Sequence, residues 1–244
     1  MNRVKIKKAQ LMIQKTIRTS QMRLQKQLNS DFLTLLDYSS VGIAKSNEIK
    51  FSFNFKLLKE KLNKTFKNNF KRFLTQKKII NFELWDKEEE DFPIEHIERK
   101  LTKGYMAKLV SKIADIADTA EKTLKKVVAN GIKQGLGYKE FGELIQTNIA
   151  GMSTSKARVI ALTESQTINS VIDNDMAKEV KMKKKIWIHN GGTKTDRPSH
   201  AVLDMVSIGI EEYFDVGGVP ALYPQDSSLG PEDVINCHCL CIYE

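Results

Sequence analysis

The sequence predicts an α+β protein. A mostly helical N-terminal region is followed by a small C-terminal module of a helix plus short, mainly antiparallel strands. Three observations carry this expectation. Apolar residues recur at helical steps through most of the first 180 residues. Strand-like alternation begins only after residue 182, at Lys185-Ile186-Trp187-Ile188. All three cysteines (Cys237, Cys239, Cys241) and three of the four histidines (His189, His200, His238) fall in the last 60 residues.

The first helix is expected over 4–36, where Ile13, Ile17, Leu24, Leu28, Phe32 and Leu35 recur at helical spacing. Ser39 to Gly42 breaks it. A second helix spans 55–74, with Leu58, Leu62, Phe66, Phe70 and Leu74 in one stripe of step four. That stripe is narrow and suits helix packing. Residues 83–98 are acidic and contain Pro93, so a linker or domain edge is expected there. His96, alone among acids, reads as solvent-facing. The clearest helix is 104–132, with Gly131 and Gly135–Gly137 expected to break the chain. A short helix, 138–149, is expected to stop at Gly151. Ser153 or Thr154 then caps another, whose buried side includes Val159, Leu162, Ile168, Val171, Ile172 and Met176.

Beyond residue 182, strands are expected at Lys185–Ile188, Tyr213–Val216, Val219–Tyr223 and Cys237–Tyr243. Pro198 fits the first turn of a short helix continuing through Ala201–Met205, with His200 projecting toward the sheet.

Residues 1–80 hold 19 Lys and Arg against 4 Asp and Glu, a net of +15, which leaves −6 for the rest given the total of +9. A basic half of this kind suits a polyanion or an acidic protein surface as neighbour, and also a plain solvated face. Lys59, Lys64, Lys67, Lys71 and Arg72 on the second helix are the candidate contacts to nucleic acid or protein. No run approaches the roughly 18 apolar residues of a membrane span, and no signal peptide is read at the N-terminus. Cysteines two apart do not make a disulfide framework, so a reducing compartment is expected.

On a strand, Cys237, Cys239 and Cys241 would share a face. With His200 they would offer three thiolates and one imidazole, a set that suits zinc. Cysteine is equally a good small buried residue, and this reading stays open beside the metal. Cys, His and Glu164 could also supply a nucleophile and base, as in a nuclease or transferase, but no spacing supports a specific reaction. Glu164 in Leu162-Thr163-Glu164-Ser165 reads first as a helix residue in an ion pair or backbone contact.

From about Gly135 onward the ordered landmarks resemble the phage Mu F-like family of minor head (head morphogenesis) proteins. They run from Arg158-Val-Ile-Ala-Leu-Thr-Glu164 through Lys185-x-Trp187 and the loop from His189 to Arg197-Pro-Ser-His200. They continue through Glu212-x-Phe214 and Tyr223-Pro224-x-Asp226 to Ile235-Asn236-Cys237-His238-Cys239. The motif residues carried over are Arg158, Glu164, Trp187, Arg197, His200, Asn236, Cys237 and Cys239. Leu162 and His238 stand where the family pattern has Arg, and Gly191-Gly192-Thr193 replaces an acidic site. Some relatives have a Cys/His arrangement similar to a zinc site, onto which only His200, Cys237 and Cys239 map.

The resemblance implies a virion protein present in few copies. It would associate with the portal protein and other capsid proteins at the portal vertex. It would assist head assembly and DNA packaging or delivery, after a stay in the host cytoplasm during assembly. Packaged DNA is an expected neighbour and a membrane is not. With the sequence ending at Glu244, no appended toxin domain is expected. The implied organisation is a basic helical region at 1–100, a connecting helix at 101–134 and the head-morphogenesis domain at 135–244.

Overall fold

The computed structural model describes residues 3–37, 40–43, 49–85, 94–136, 138–191 and 196–244. Four long helices dominate: α1 (Arg3–Asp37), α2 (Phe55–Trp85), α3 (Ile94–Lys133) and α4 (Tyr138–Glu179). Between α1 and α2, β1 (Ser40–Ile43) pairs antiparallel with β2 (Ile49–Ser52). After α4 come β3 (Lys184–Ile188), α5 (Pro198–Ala201), β4 (Ser207–Gly209), β5 (Phe214–Val216), β6 (Val219–Ala221), α6 (Pro231–Val234) and β7 (Leu240–Tyr243). The fold is α+β, as the sequence predicts. The chain divides into two compact units. One holds Met1–Met22, Asn69–Gly104 and Val159–Glu244, the other Arg23–Asn68 and Tyr105–Arg158.

Among the described residues, the regular structure of the second of these units is helical apart from the β1–β2 hairpin. Leu24, Leu28, Phe32, Leu58, Leu62, Phe66, Leu109 and Leu124 are buried in it, so the step-four stripes are core. Asn54 caps α2, its Oδ1 accepting from Leu57 N at 2.9 Å. Asp31 is buried and accepts from Thr65 Oγ1 at 2.6 Å. Gly131 sits inside α3 because a Cβ there would lie 2.7 Å from Phe141 Cε2. Helix α3 closes with Gly135 at φ +65°, Leu136 N donating to Gly131 O and Gly135 N to Ile132 O. This paired bonding satisfies carbonyls that the helix end leaves open.

The first unit contains the sheet. β3 is its central strand, in the order β4-β3-β7, with both pairings antiparallel. Trp187 faces Cys241 in the β3–β7 register. β5 and β6 form a separate antiparallel pair. Trp187, Phe214, Val216, Leu203, Tyr223 and Tyr243 build an apolar cluster together with the three cysteines. Phe214 meets the Trp187 ring edge-on at a centroid distance of 5.1 Å.

Several expectations are corrected. Helix α2 continues to Trp85 because Phe73, Lys77 and Asn81 extend its buried side, and the two polar members hide the stripe. Helix α3 begins at Ile94, directly after Pro93; residues 86–93 of the expected linker lie outside the described residues. Gly151 does not stop a helix: α4 is continuous. A helical Gly costs only about 1 kcal/mol against Ala. Ser153 and Thr154 turn their hydroxyls back to Ala150 O, at 2.9 and 3.2 Å, and cap nothing. Val159 is exposed. The helix at Pro198 covers four residues only, because Met205 adopts φ +63° and turns the chain into β4, a strand the sequence reading lacked. Among the described residues, no helix is long and apolar enough to cross a membrane.

Candidate functional site

The site grows from three short pieces of the first unit. β3 ends at Ile188 and delivers His189. The turn of α5 delivers His200. The stretch between α6 and β7 delivers Cys237 and Cys239. The expected strand over Cys237–Tyr243 is shortened to β7, and Cys237 and Cys239 precede it in irregular backbone. Strand alternation therefore does not carry Cys241 onto the face of the other two.

Among the described residues, His200, Cys237 and Cys239 offer donor atoms that all lie within 4.8 Å of one another. His200 Nδ1 is 3.5 Å from Cys237 Sγ and 3.6 Å from Cys239 Sγ. All three residues are buried, at 1%, 1% and 2% exposure. Cys241, also buried, is not in this group. Burial pushes its thiol far up, against the opposing pull of Lys185. The sequence reading did not include His189, whose Nδ1 lies 3.4 Å from Cys239 Sγ.

Both imidazoles are held from behind. His200 Nε2 is 3.1 Å from Asp233 Oδ1, and His189 Nε2 is 2.8 Å from Asp196 Oδ1. Arg197 fixes the first of these arrangements: its guanidinium donates to Glu232 O and, at 2.8 Å, to Ile235 O. That ties the loop before α5 to α6, the helix that carries Asp233. The His200 ring stands edge-on to Trp187 at 5.7 Å.

The backbone around the cysteines is braced as well. Gln225 Nε2 donates to Cys239 O at 3.2 Å, and Ser170 on α4 donates to Gln225 Oε1 at 2.8 Å. Asn190 Nδ2 donates to His238 O at 2.6 Å. Asn236 takes φ +56°, and its N–H reaches Thr163 Oγ1 at 3.3 Å. Gln225 occupies the variable place in Tyr223-Pro224-x-Asp226, so no motif pointed to it.

The two thiols are driven in opposite directions. The Cys239 thiol, hydrogen-bonded to it, lowers Cys237 to about 4; burial opposes, and His200 adds to the lowering. The same bond with Cys237, together with burial, raises Cys239. For His200, burial pulls downward, but the contacts with Cys237 and Asp233 outweigh it and its pKa is raised. For His238, burial dominates and the pKa falls. The result is a buried thiolate–thiol–imidazole cluster of soft donors. Such enclosure suits a structural role better than attack on a substrate.

The remaining predicted residues are dispersed. Trp187 is fully buried in β3 and Glu164 is buried on α4, whereas Arg158 is exposed. On α2, Lys64, Lys67, Lys71 and Arg72 are exposed, and Lys59 pairs with Asp118 at 3.2 Å.

Fold and site thus define a helix-led module whose small antiparallel sheet carries a buried cluster of Cys and His side chains. Residues 122–242 match the family described as phage Mu protein F like protein. The chain thus carries a segment of this family, which at a coarse level is one of phage head morphogenesis. It is similar to Uncharacterized protein YqbB of Bacillus subtilis (strain 168), with 30% identity over 134 residues, which cover 53% of this chain and 44% of that protein. The chain spans less than half the length of this curated relative. No solved structure matches.

Proposed function

We propose that this protein is a minor head protein of a tailed phage that works at the portal vertex, contacting the portal protein and other capsid proteins. There it assists head assembly and the packaging or delivery of DNA. The observation that carries the reading is the family segment at 122–242. The net charge of +15 over residues 1–80, all outside that segment, supports contact with an acidic surface or with DNA. Mass spectrometry of purified particles tests it, with the chain expected at low copy number. Its absence from particles that package DNA normally would sink the reading. A reconstruction of the portal vertex without imposed symmetry is expected to place it against the portal; density elsewhere in the head would overturn the portal assignment.

A second reading is favoured by the exposed Lys64, Lys67, Lys71 and Arg72 on one helix. In it the protein is a DNA-binding accessory factor whose affinity comes from phosphate neutralisation.

A further inference from the structure

We propose that His189, His200, Cys237 and Cys239 bind one zinc ion as a closed, structural Cys2His2 site. This goes beyond the assembly role and does not depend on it.

The first argument is metric. With Zn–S near 2.3 Å and Zn–N near 2.05 Å, a regular tetrahedron places each nitrogen about 3.55 Å from each sulfur. His200 Nδ1 stands 3.5 and 3.6 Å from the two sulfurs. His189 Nδ1 stands 3.4 Å from Cys239 Sγ but outside the set of donors within 4.8 Å of one another, so His189 has to swing inward to complete the tetrahedron. Nδ1 offers one proton or one lone pair, so a straight hydrogen bond serves only one sulfur at a time and does not by itself explain a nitrogen nearly equidistant from two. A shared metal does.

The second argument is orientation. His200 presents Nδ1 to both sulfurs and His189 presents Nδ1 to that of Cys239, and each turns Nε2 to a carboxylate, Asp233 behind His200 and Asp196 behind His189. A carboxylate on the far nitrogen fixes the tautomer and makes the near nitrogen a better ligand, and metal-bound histidines almost always have such a partner. Two independent histidines, on different loops, are arranged this way around the Cys239 sulfur. Gly191 belongs to the same construction: a Cβ there would lie 3.1 Å from His189 Nε2 and 3.2 Å from Asp196 Oδ2, crowding the pair.

The third argument is donor chemistry. Two thiolates and two imidazoles are the donor types zinc takes in structural sites, and two thiolates balance its charge. The donors come from the end of β3, from α5 and from the approach to β7. One ion would join three segments, and binding free energy of that kind is folding free energy.

The experiment uses the full chain, purified without chelator. Elemental analysis is expected to give one zinc per chain. Cobalt substitution is expected to give thiolate charge-transfer bands and the intense visible bands of a tetrahedral ion. Cys241→Ser is expected to keep both signatures. His189→Asn is expected to shift the visible cobalt bands and weaken zinc retention at least about tenfold, and Asp196→Asn by about 10–100-fold. A wild-type protein with no zinc that also takes up no cobalt overturns the proposal. So does a His189→Asn protein with unchanged bands and retention, or loss of the metal in Cys241→Ser. Should Cys237→Ser or Cys239→Ser fail to fold, wild-type protein decides the matter. Mercurial modification of its thiols is expected to release the zinc in step with loss of two thiols, and release uncoupled from thiol loss overturns the assignment.

Discussion

Lys77 Nζ lies 2.9 Å from Asp173 Oδ1, with side chains 0% and 2% exposed. Asn81 Nδ2 donates to the same carboxylate oxygen at 2.8 Å. Burial lowers the lysine's pKa and raises the aspartate's, each against their mutual attraction. Two charges taken out of water are tolerated only while both are present. Asp173→Ala is therefore expected to lower the unfolding free energy by about 3–5 kcal/mol, whereas Lys77→Met with Asp173→Leu restores most of it. Urea unfolding of the three proteins checks this. A double variant no more stable than Asp173→Ala would show that the pair is not the source.

Lys185 gives a pH dependence of known sign. Its side chain is buried and donates to Ile210 O at 2.9 Å, over the ring of Phe214. Burial, opposed by Cys241, lowers its pKa from 10.5 to about 8. Below about pH 8 both folded and unfolded chains hold the proton, and the folded chain bears the full cost of a buried ammonium. As pH rises from about 8 toward 10.5, the folded chain releases its proton first and that cost is relieved. Relative to Lys185→Met, the wild type is expected to gain up to about 3 kcal/mol across this window. Tm values of the two proteins near pH 7.5 and near pH 10 measure it, and a constant difference would refute it.

Two helical glycines are expected to behave oppositely. At Gly151 a Cβ would meet nothing within 4 Å, so Gly151→Ala is expected to stabilise by about 0.5–1 kcal/mol. At Gly131 the same methyl would collide with Phe141, so Gly131→Ala is expected to destabilise by about 1–3 kcal/mol. Thermal melts of the two variants decide. The same sign at both positions would mean that propensity alone sets the outcome.

If DNA is a partner, exposed charge on α2 should set the salt dependence of its binding. Replacing Lys64, Lys67, Lys71 and Arg72 by Gln is expected to weaken binding to any duplex equally. It should also reduce the slope of log affinity against log salt by about 0.9 for each phosphate that is no longer neutralised. Fluorescence anisotropy at several salt concentrations reads both. An unchanged slope would place any DNA-binding surface elsewhere.

Much of the helical framework could be read from Leu58, Leu62, Phe66, Phe70 and Leu74, because a step of four reports a buried helix face directly. Lys77, Asn81 and Asp173 could not be read that way, since a polar residue is recognised as core only when its partner, far away in sequence, is known. The run from Ser207 to Gly209 was too short to show a period. In the site, the clustering of Cys237, Cys239 and His200 was visible. The role of His189 was hidden because it depends on where β3 ends and on Asp196 in the following loop. Cys241 is grouped with the other two in sequence because strand alternation is extended through Cys237–Cys239, which are not strand.

Asn190 Oδ1 accepts from Gln10 Nε2 at 2.6 Å and from Gln14 Nε2 at 2.9 Å, and its amide holds the carbonyl between the two cysteines. On the ribosome the glutamines precede Asn190 by 180 and 176 residues. At about 5–20 residues per second, Gln10 and Gln14 wait on the order of ten seconds for that partner. Ala9 and Ile13 line one cavity with Leu84 and Trp85, made early, and with Ile242 and Tyr243, made last. A premature stop before residue 190 would leave that enclosure half built and both glutamines without Asn190, so nonsense products of this chain are expected to be chaperone clients, even though most of their helices could form.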